Sequence, residues 1–156
     1  MQMDAFSKMP NEHLVIVGSY EKSKHFVRHK KYLESIKPTN VEILHWVSER
    51  ELRNLYATCK GFIATAIDED FGLTLVEAMA SGKPIIAANE GGYKETVIAG
   101  ETGILIDDIS VDTLISAIEE ISKAPDIFSK ACIKRARKFD TENFVTKIKK
   151  LIEYAK

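Results

Sequence analysis

The chain has 156 residues, 45% hydrophobic and 29% charged, with a formal net charge of −1 at pH 7. That length suits one domain with a proper core, and the charge balance supplies no global field toward nucleic acid. Two cysteines, Cys59 and Cys132, are too few for a secreted disulfide framework, and neither a bilayer-length apolar run nor a signal-peptide core is present, so the expected setting is a reducing cytoplasm.

Residues 1–9 read as the end of a helix with Met1, Ala5 and Met9 on one face, broken by Pro10-Asn11. Leu14 to Gly18 is an apolar run closed by glycine, the pattern of a strand buried on both faces of a parallel sheet. Residues 21–36 predict a basic helix with Phe26, Tyr32 and Leu33 facing inward, and residues 41–47 predict a second strand. Ser48-Glu49-Arg50-Glu51 is a capping box, so a helix starts at Ser48 with Leu52, Leu55 and Tyr56 inside. A third strand follows at 61–66, then a helix from Leu73 that stops at Gly82, a good C′ glycine. Residues 84–88 form a fourth strand, 93–98 a short helix and 103–106 a fifth strand, before helices at 111–123, 127–138 and 142–154. Strands alternating with helices predict an α/β fold, a Rossmann-like parallel sheet with helices on both faces and helices at the C-terminus. Ligands of such sheets bind beyond the carboxyl ends of the strands, where Gly18, Val47, residues 66–72 and residues 89–92 gather.

The central stretch is residues 68–88, DEDFGLTLVEAMASGKPIIAA. Glu69 lies before its helix and Glu77 in the second turn. A helix start carries unpaired N–H groups and the positive end of the macrodipole, so it favours anions. Two carboxylates beside it suit a ligand with both phosphate and sugar hydroxyls. Phe71-Gly72-Leu73-Thr74 would supply amides to phosphate, with Gly72 allowing close backbone approach. Asn89-Glu90-Gly91-Gly92 is a second glycine-rich turn on the same edge. Asp68-Glu69-Asp70 has the look of a metal-binding acid cluster, and His25 and His29 stand one helical turn apart; both read better as solvated groups, so no metal is expected. Lys22, Lys24, Arg28, Lys30 and Lys31 read as a solvated face rather than a nucleic-acid surface. His45-Trp46 reads as packed core in preference to the edge of a base pocket.

Glu69-x7-Glu77 within EDFGLTLVEAMASGKPIIAANEGGYKE resembles the signature of the group 1 (family 4) retaining glycosyltransferases of GT-B fold. LVIVG, HWVSERELRNLYATCKGF and GETGILI follow in that family's order. The resemblance implies that residues 1–156 are the C-terminal, donor-binding domain, with the N-terminal acceptor domain absent. It implies transfer of a hexose such as mannose or glucose, with retention, from a nucleotide-diphospho-sugar such as GDP-mannose or UDP-glucose to a glycan or lipid-linked acceptor, as in polysaccharide biosynthesis. No cofactor or essential metal is implied, and peripheral membrane association is left open. Glu77 would hold the ribose hydroxyls and Glu69, the catalytic candidate, those of the sugar. Phe71 and the amides of Gly72, Leu73 and Thr74 would face diphosphate and sugar. Val47 would meet the base, Gly18 would border the site, and Gly91 and Gly92 would line the pocket near the reacting sugar. A non-catalytic nucleotide-sugar-binding module, or one subunit of a split enzyme, is the alternative; a GT-B-type epimerase is a weaker one. The family's first strand, with the Arg and Lys that follow it, would be missing. Since that strand is central, its loss leaves a gap or a direct pairing of the strands at Leu14 and Phe62. The predicted order is 41–47, 14–18, 61–66, 84–88, 103–106.

Overall fold

A computed structural model describes residues 1–18 and 24–154, with the side chains of Lys24 and His25 also outside the description. The elements run α1 (Gln2–Ser7), β1 (Leu14–Val17), α2 (Lys24–Ile36), β2 (Val41–Leu44), α3 (Glu49–Thr58), β3 (Phe62–Ala64), α4 (Leu73–Ala80) and β4 (Ile85–Ala88). Then come α5 (Tyr93–Thr96), β5 (Gly103–Ile106), α6 (Val111–Lys123), α7 (Ser129–Ala136) and α8 (Thr141–Tyr154), with short 3-10 turns on either side of α7. All strand pairs are parallel, as the βα alternation requires.

The strands make two sheets, not one. β1 pairs β2 with Leu14 opposite Val41, and β3-β4-β5 form a three-stranded sheet with Phe62 opposite Ile85 and Ile85 opposite Gly103. The predicted continuous order is therefore corrected, and of the two expected consequences the gap is the one found. Among the described residues, β1 and β3 each keep one open edge, on either side of a cleft of about 760 Å³ lined by both strands, by α3 and by Thr74 and Glu77 of α4. The difference shows in burial. All four residues of β4, which has a strand on each side, are buried, whereas in β1 only Leu14 is buried and Val17 is 40% exposed. The expectation that β1 is covered on both faces fails at the cleft.

Polar contacts tie the two sheets together around the cleft. Asn40 Nδ2, just before β2, donates to the carbonyls of Phe6 (2.8 Å), Met9 (3.0 Å) and Glu12 (2.8 Å), fixing the segment from α1 to β1. Lys60 Nζ lies 2.8 Å from the Glu12 carboxylate, and Gln2 Nε2 donates to Thr65 Oγ1 at 2.9 Å. α1 packs on α6 and buries Met3, Ala5 and Phe6, leaving Met1 exposed, so its inward face differs from the predicted one. In α2, Phe26 and Tyr32 are exposed, and among its described residues only Leu33 packs on the core. Trp46 is 80% exposed beyond the end of β2 and is not the packed core residue expected. The predicted helix 127–138 is broken into 3-10, α and 3-10 segments. Of the basic residues read as a solvated face, Arg28 and Lys31 are exposed and Lys30 is half-buried; Lys22 and the Lys24 side chain lie outside the described residues. α8 buries none of its residues, and no described helix is long and apolar enough to cross a membrane.

Candidate functional site

The capping box at Ser48 forms as read: Glu51 N–H donates to Ser48 Oγ at 3.3 Å, and Ser48 N–H to Glu51 Oε2 at 2.7 Å. It orients α3 so that Tyr56 is buried, its ring 5.9 Å from that of Phe62. α4 packs against α7, and its buried residues are Leu75, Ala78 and Met79. That leaves Leu73, Thr74, Glu77 and Ala80 on the open side. The sequence suggests a mostly buried helix around Glu77; in the structure Glu77 lies on this exposed face, one turn from Leu73 and Thr74.

Gly72, the residue before α4, has φ +76°, and a Cβ there would lie 3.1 Å from the ring of buried Tyr93. A left-handed backbone and a flanking aromatic ring both select glycine. Glu69 turns back on this helix start: its Oε1 accepts from the Gly72 N–H at 3.0 Å. Among the described residues, the next two amides, of Leu73 and Thr74, have no protein acceptor, while Leu75 N–H already donates to the Gly72 carbonyl. The helix start therefore offers two open N–H groups and a third engaged by an acidic side chain.

The second glycine turn meets this loop directly. Gly92 N–H donates to the Glu69 carbonyl at 2.8 Å, and a Cβ at Gly92 would lie 2.2 Å from the Asp70 carbonyl oxygen. Gly91, at φ +47°, would bring a Cβ to 2.6 Å from the Glu69 oxygen. Both glycines allow backbone to lie on backbone, which brings Gly91 and Gly92 beside Glu69. Glu90 Oε1 accepts from the Asp68 N–H at 3.0 Å, holding Asp68 at φ +58°, a left-handed conformation uncommon outside glycine. Burial, then the Glu69 carboxylate, push the Tyr93 phenol upward in pKa.

The structure brings Glu69, Gly72, Gly91 and Gly92 into one constellation, and Thr74 and Glu77 into the adjoining cleft with β1. Gly18 and Val47 lie past the ends of β1 and β2; among the described residues a Cβ at Gly18 would meet nothing within 4 Å. Phe71 packs its ring 5.5 Å from Phe139, and Arg135 lies 4.9 Å over the Phe139 ring. Arg135 in turn donates to the carbonyls of Thr96 (2.9 Å) and Glu95, so the C-terminal helices buttress the loop. Among the described residues, no cluster of His, Cys, Asp and Glu could hold a metal ion. Sequence reasoning missed one partner: Tyr56 Oη donates to Glu77 Oε2 at 3.0 Å. A hydroxyl at an inward position of α3 was the available signal, because a buried phenol needs an acceptor.

The family model described as "Glycosyl transferases group 1" matches residues 2–139. The chain is 34% identical over 119 residues to the alpha-1,3/1,6-mannosyltransferase ALG2 of Dictyostelium discoideum, covering 72% of this chain and 28% of that protein. It is 29% identical over 144 residues to a trehalose synthase of Pyrococcus horikoshii, covering 88% and 34%. Among solved structures, Anabaena HepE in complex with UDP-glucose superposes with a TM-score of 0.78 at 26% identity, over 97% of this chain and 44% of that one. Sucrose-phosphate synthase from Thermosynechococcus elongatus superposes with a TM-score of 0.83 at 24% identity, over 99% and 41%. The chain thus spans less than half the length of these proteins. Its fold is that of the C-terminal half of GT-B enzymes, and it belongs to the group 1 glycosyl transferases.

Proposed function

We propose that residues 1–156 are the donor-binding half of a retaining hexosyltransferase. The observation that carries this reading is the start of α4, where the open amides of Leu73 and Thr74 share one exposed face with Glu77, at the carboxyl edge of a parallel sheet. The amides and the helix dipole suit a diphosphate, and the carboxylate suits a vicinal diol. HepE, which shares this fold, binds UDP-glucose, which supports the same ligand class here.

In this reading the diphosphate rests on the α4 start, with Glu77 on the ribose hydroxyls and Glu69 on those of the sugar. Glu69 must then release the Gly72 N–H, which frees a third amide for the donor. As the bond between the sugar and the β-phosphate breaks, negative charge grows on the leaving diphosphate. Fixed N–H groups aimed at that charge need no reorganisation and lower the barrier. The acceptor hydroxyl, on a glycan or lipid-linked sugar, would attack from the face the diphosphate leaves and pass its proton to the departing diphosphate oxygen, preserving configuration. Gly91, Gly92 and Phe71 keep the Glu69 loop in place, and Gly18 and Val47 would border the nucleoside.

Calorimetry with GDP-, UDP- and ADP-sugars tests this. Glu77→Ala should weaken the preferred donor about tenfold or more, as expected when a charged hydrogen-bond partner is lost. If none of these donors binds the wild-type chain, even with an acceptor-binding half added, the proposal fails.

A further inference from the structure

We infer that Tyr56 is a positioning residue for donor recognition: its hydroxyl fixes the Glu77 carboxylate in the orientation that receives the nucleotide's ribose diol. The inference rests on the donor-site reading above and deepens it.

Glu77 extends from the exposed face of α4, and a free glutamate there would sample many rotamers. Tyr56 removes much of that freedom. It comes from a different helix, is only 8% exposed, and is held by ring packing on Phe62 of β3. Its position is therefore set by the core, and its hydroxyl reaches Glu77 Oε2 at 3.0 Å. Among the described residues this is the only hydrogen bond to the Glu77 side chain. A carboxylate has about four acceptor sites and the phenol takes one. Among the described residues the remaining sites, on Oε1 and on Oε2, carry no hydrogen bond, and Glu77 lines the cleft together with Thr74. A cis-diol presents two O–H donors to one carboxylate, so the phenol and the diol satisfy Glu77 jointly. Burial, and then the Glu77 carboxylate, raise the Tyr56 pKa, so the phenol keeps its proton and stays a donor across the physiological range.

The test uses the whole chain and measures affinity for UDP, GDP and ADP alongside their 2′,3′-dideoxy counterparts. The wild type should favour the ribonucleotide. Tyr56→Phe keeps the ring and removes only the hydroxyl. It should weaken the preferred ribonucleotide about tenfold and leave its dideoxy counterpart unchanged. Tyr56→Met, which fills much of the same space, replaces it should the Phe variant fail to unfold cooperatively. Equal weakening of both nucleotide forms would show that Tyr56 merely supports the fold, and no weakening of either would show that it does not position Glu77; each result overturns the inference. If Glu77→Ala abolishes the preference for ribose and Tyr56→Phe does not, the donor reading stands and the positioning role falls. If the wild type shows no preference for ribose, the reading of Glu77 and this inference fall together.

Discussion

Gly92→Ala isolates the contact on which the site's geometry depends. Gly92 has an ordinary right-handed backbone at φ −65°, so a side chain there meets no conformational penalty of its own. The cost is steric. The new Cβ would lie 2.2 Å from the Asp70 oxygen and 2.5 Å from Phe71 Cα, against a practical floor of 3.0 Å. Both obstacles are backbone, so relief requires the loop carrying Glu69, Asp70 and Phe71 to move away from α5. That movement also breaks the 2.8 Å bond from Gly92 N–H to the Glu69 carbonyl. Overpacking costs about 1–3 kcal/mol and the lost hydrogen bond about 1 kcal/mol, which together predict a loss of about 2–4 kcal/mol. For a domain of this size that is a fall of about 5–15 °C in Tm.

Urea unfolding of three alanine variants separates the causes. Gly18→Ala meets nothing within 4 Å among the described residues and has no positive φ, so it should stay within about 0.5 kcal/mol of wild type. Gly100→Ala also meets nothing but sits at φ +78°, so it should cost about 1–2 kcal/mol through the backbone alone. Gly92→Ala should exceed both and should also weaken nucleotide-sugar binding, because Glu69 moves with the loop. A Gly92→Ala protein as stable as Gly18→Ala would refute the claim that the two turns are in backbone contact.

Asn40→Ala removes a side-chain amide shared by three carbonyls and should cost about 2–3 kcal/mol in urea unfolding. Asn40→Asp should cost more at pH 7, since a carboxylate would face those carbonyls. Its folded-state pKa would be raised, so the excess cost should shrink as pH falls from neutral toward about 4, the native carboxyl protonating before the unfolded one, and should be gone below about 4. Burial pushes the Cys132 thiol up to about 11, against an ordinary 9.0. Above pH 9 the unfolded chain therefore loses this proton first, and stability should fall between about pH 9 and 11 by up to ~1.4 kcal/mol per pH unit. Cys132→Ala should show a shallower fall over that window; an identical slope would exclude the thiol as its source.

The helix ends were the most legible part of the fold because their signals are local. The Ser48 box and the stop at Gly82 each depend on residues within one turn. The edge of the sheet that carries Glu69, Gly72 and the second glycine turn was legible for the same reason, since a strand running into a glycine-rich helix start is a sequence-local pattern. The contacts within the site were not. Tyr56 and Glu77 stand on different helices, and only the packing of α3 on β3 brings them together. Glu69 and Gly72 are close in sequence, yet nothing in their spacing says that the carboxylate folds back onto the amide.

Strand pairing was the least legible feature, for a reason that β1 and β4 make plain. Both are short apolar runs, and apolarity reports only that side chains above and below the sheet need cover. Pairing runs through backbone N–H and C=O groups, which every residue but proline carries alike. β4 has a partner on each side and all four of its residues are buried; β1 has one partner among the described residues and loses its cover progressively toward Val17. Two sequences of the same character therefore end in different environments, set by which edge finds a neighbour. The same open edge explains why Glu77 is exposed on a helix that reads as buried. α4 is covered by α7 on one side, while its other side borders the cleft between β1 and β3. The carboxylate that reads as an anomaly in an apolar helix is thus placed where a polar ligand can reach it, with a buried phenol behind it.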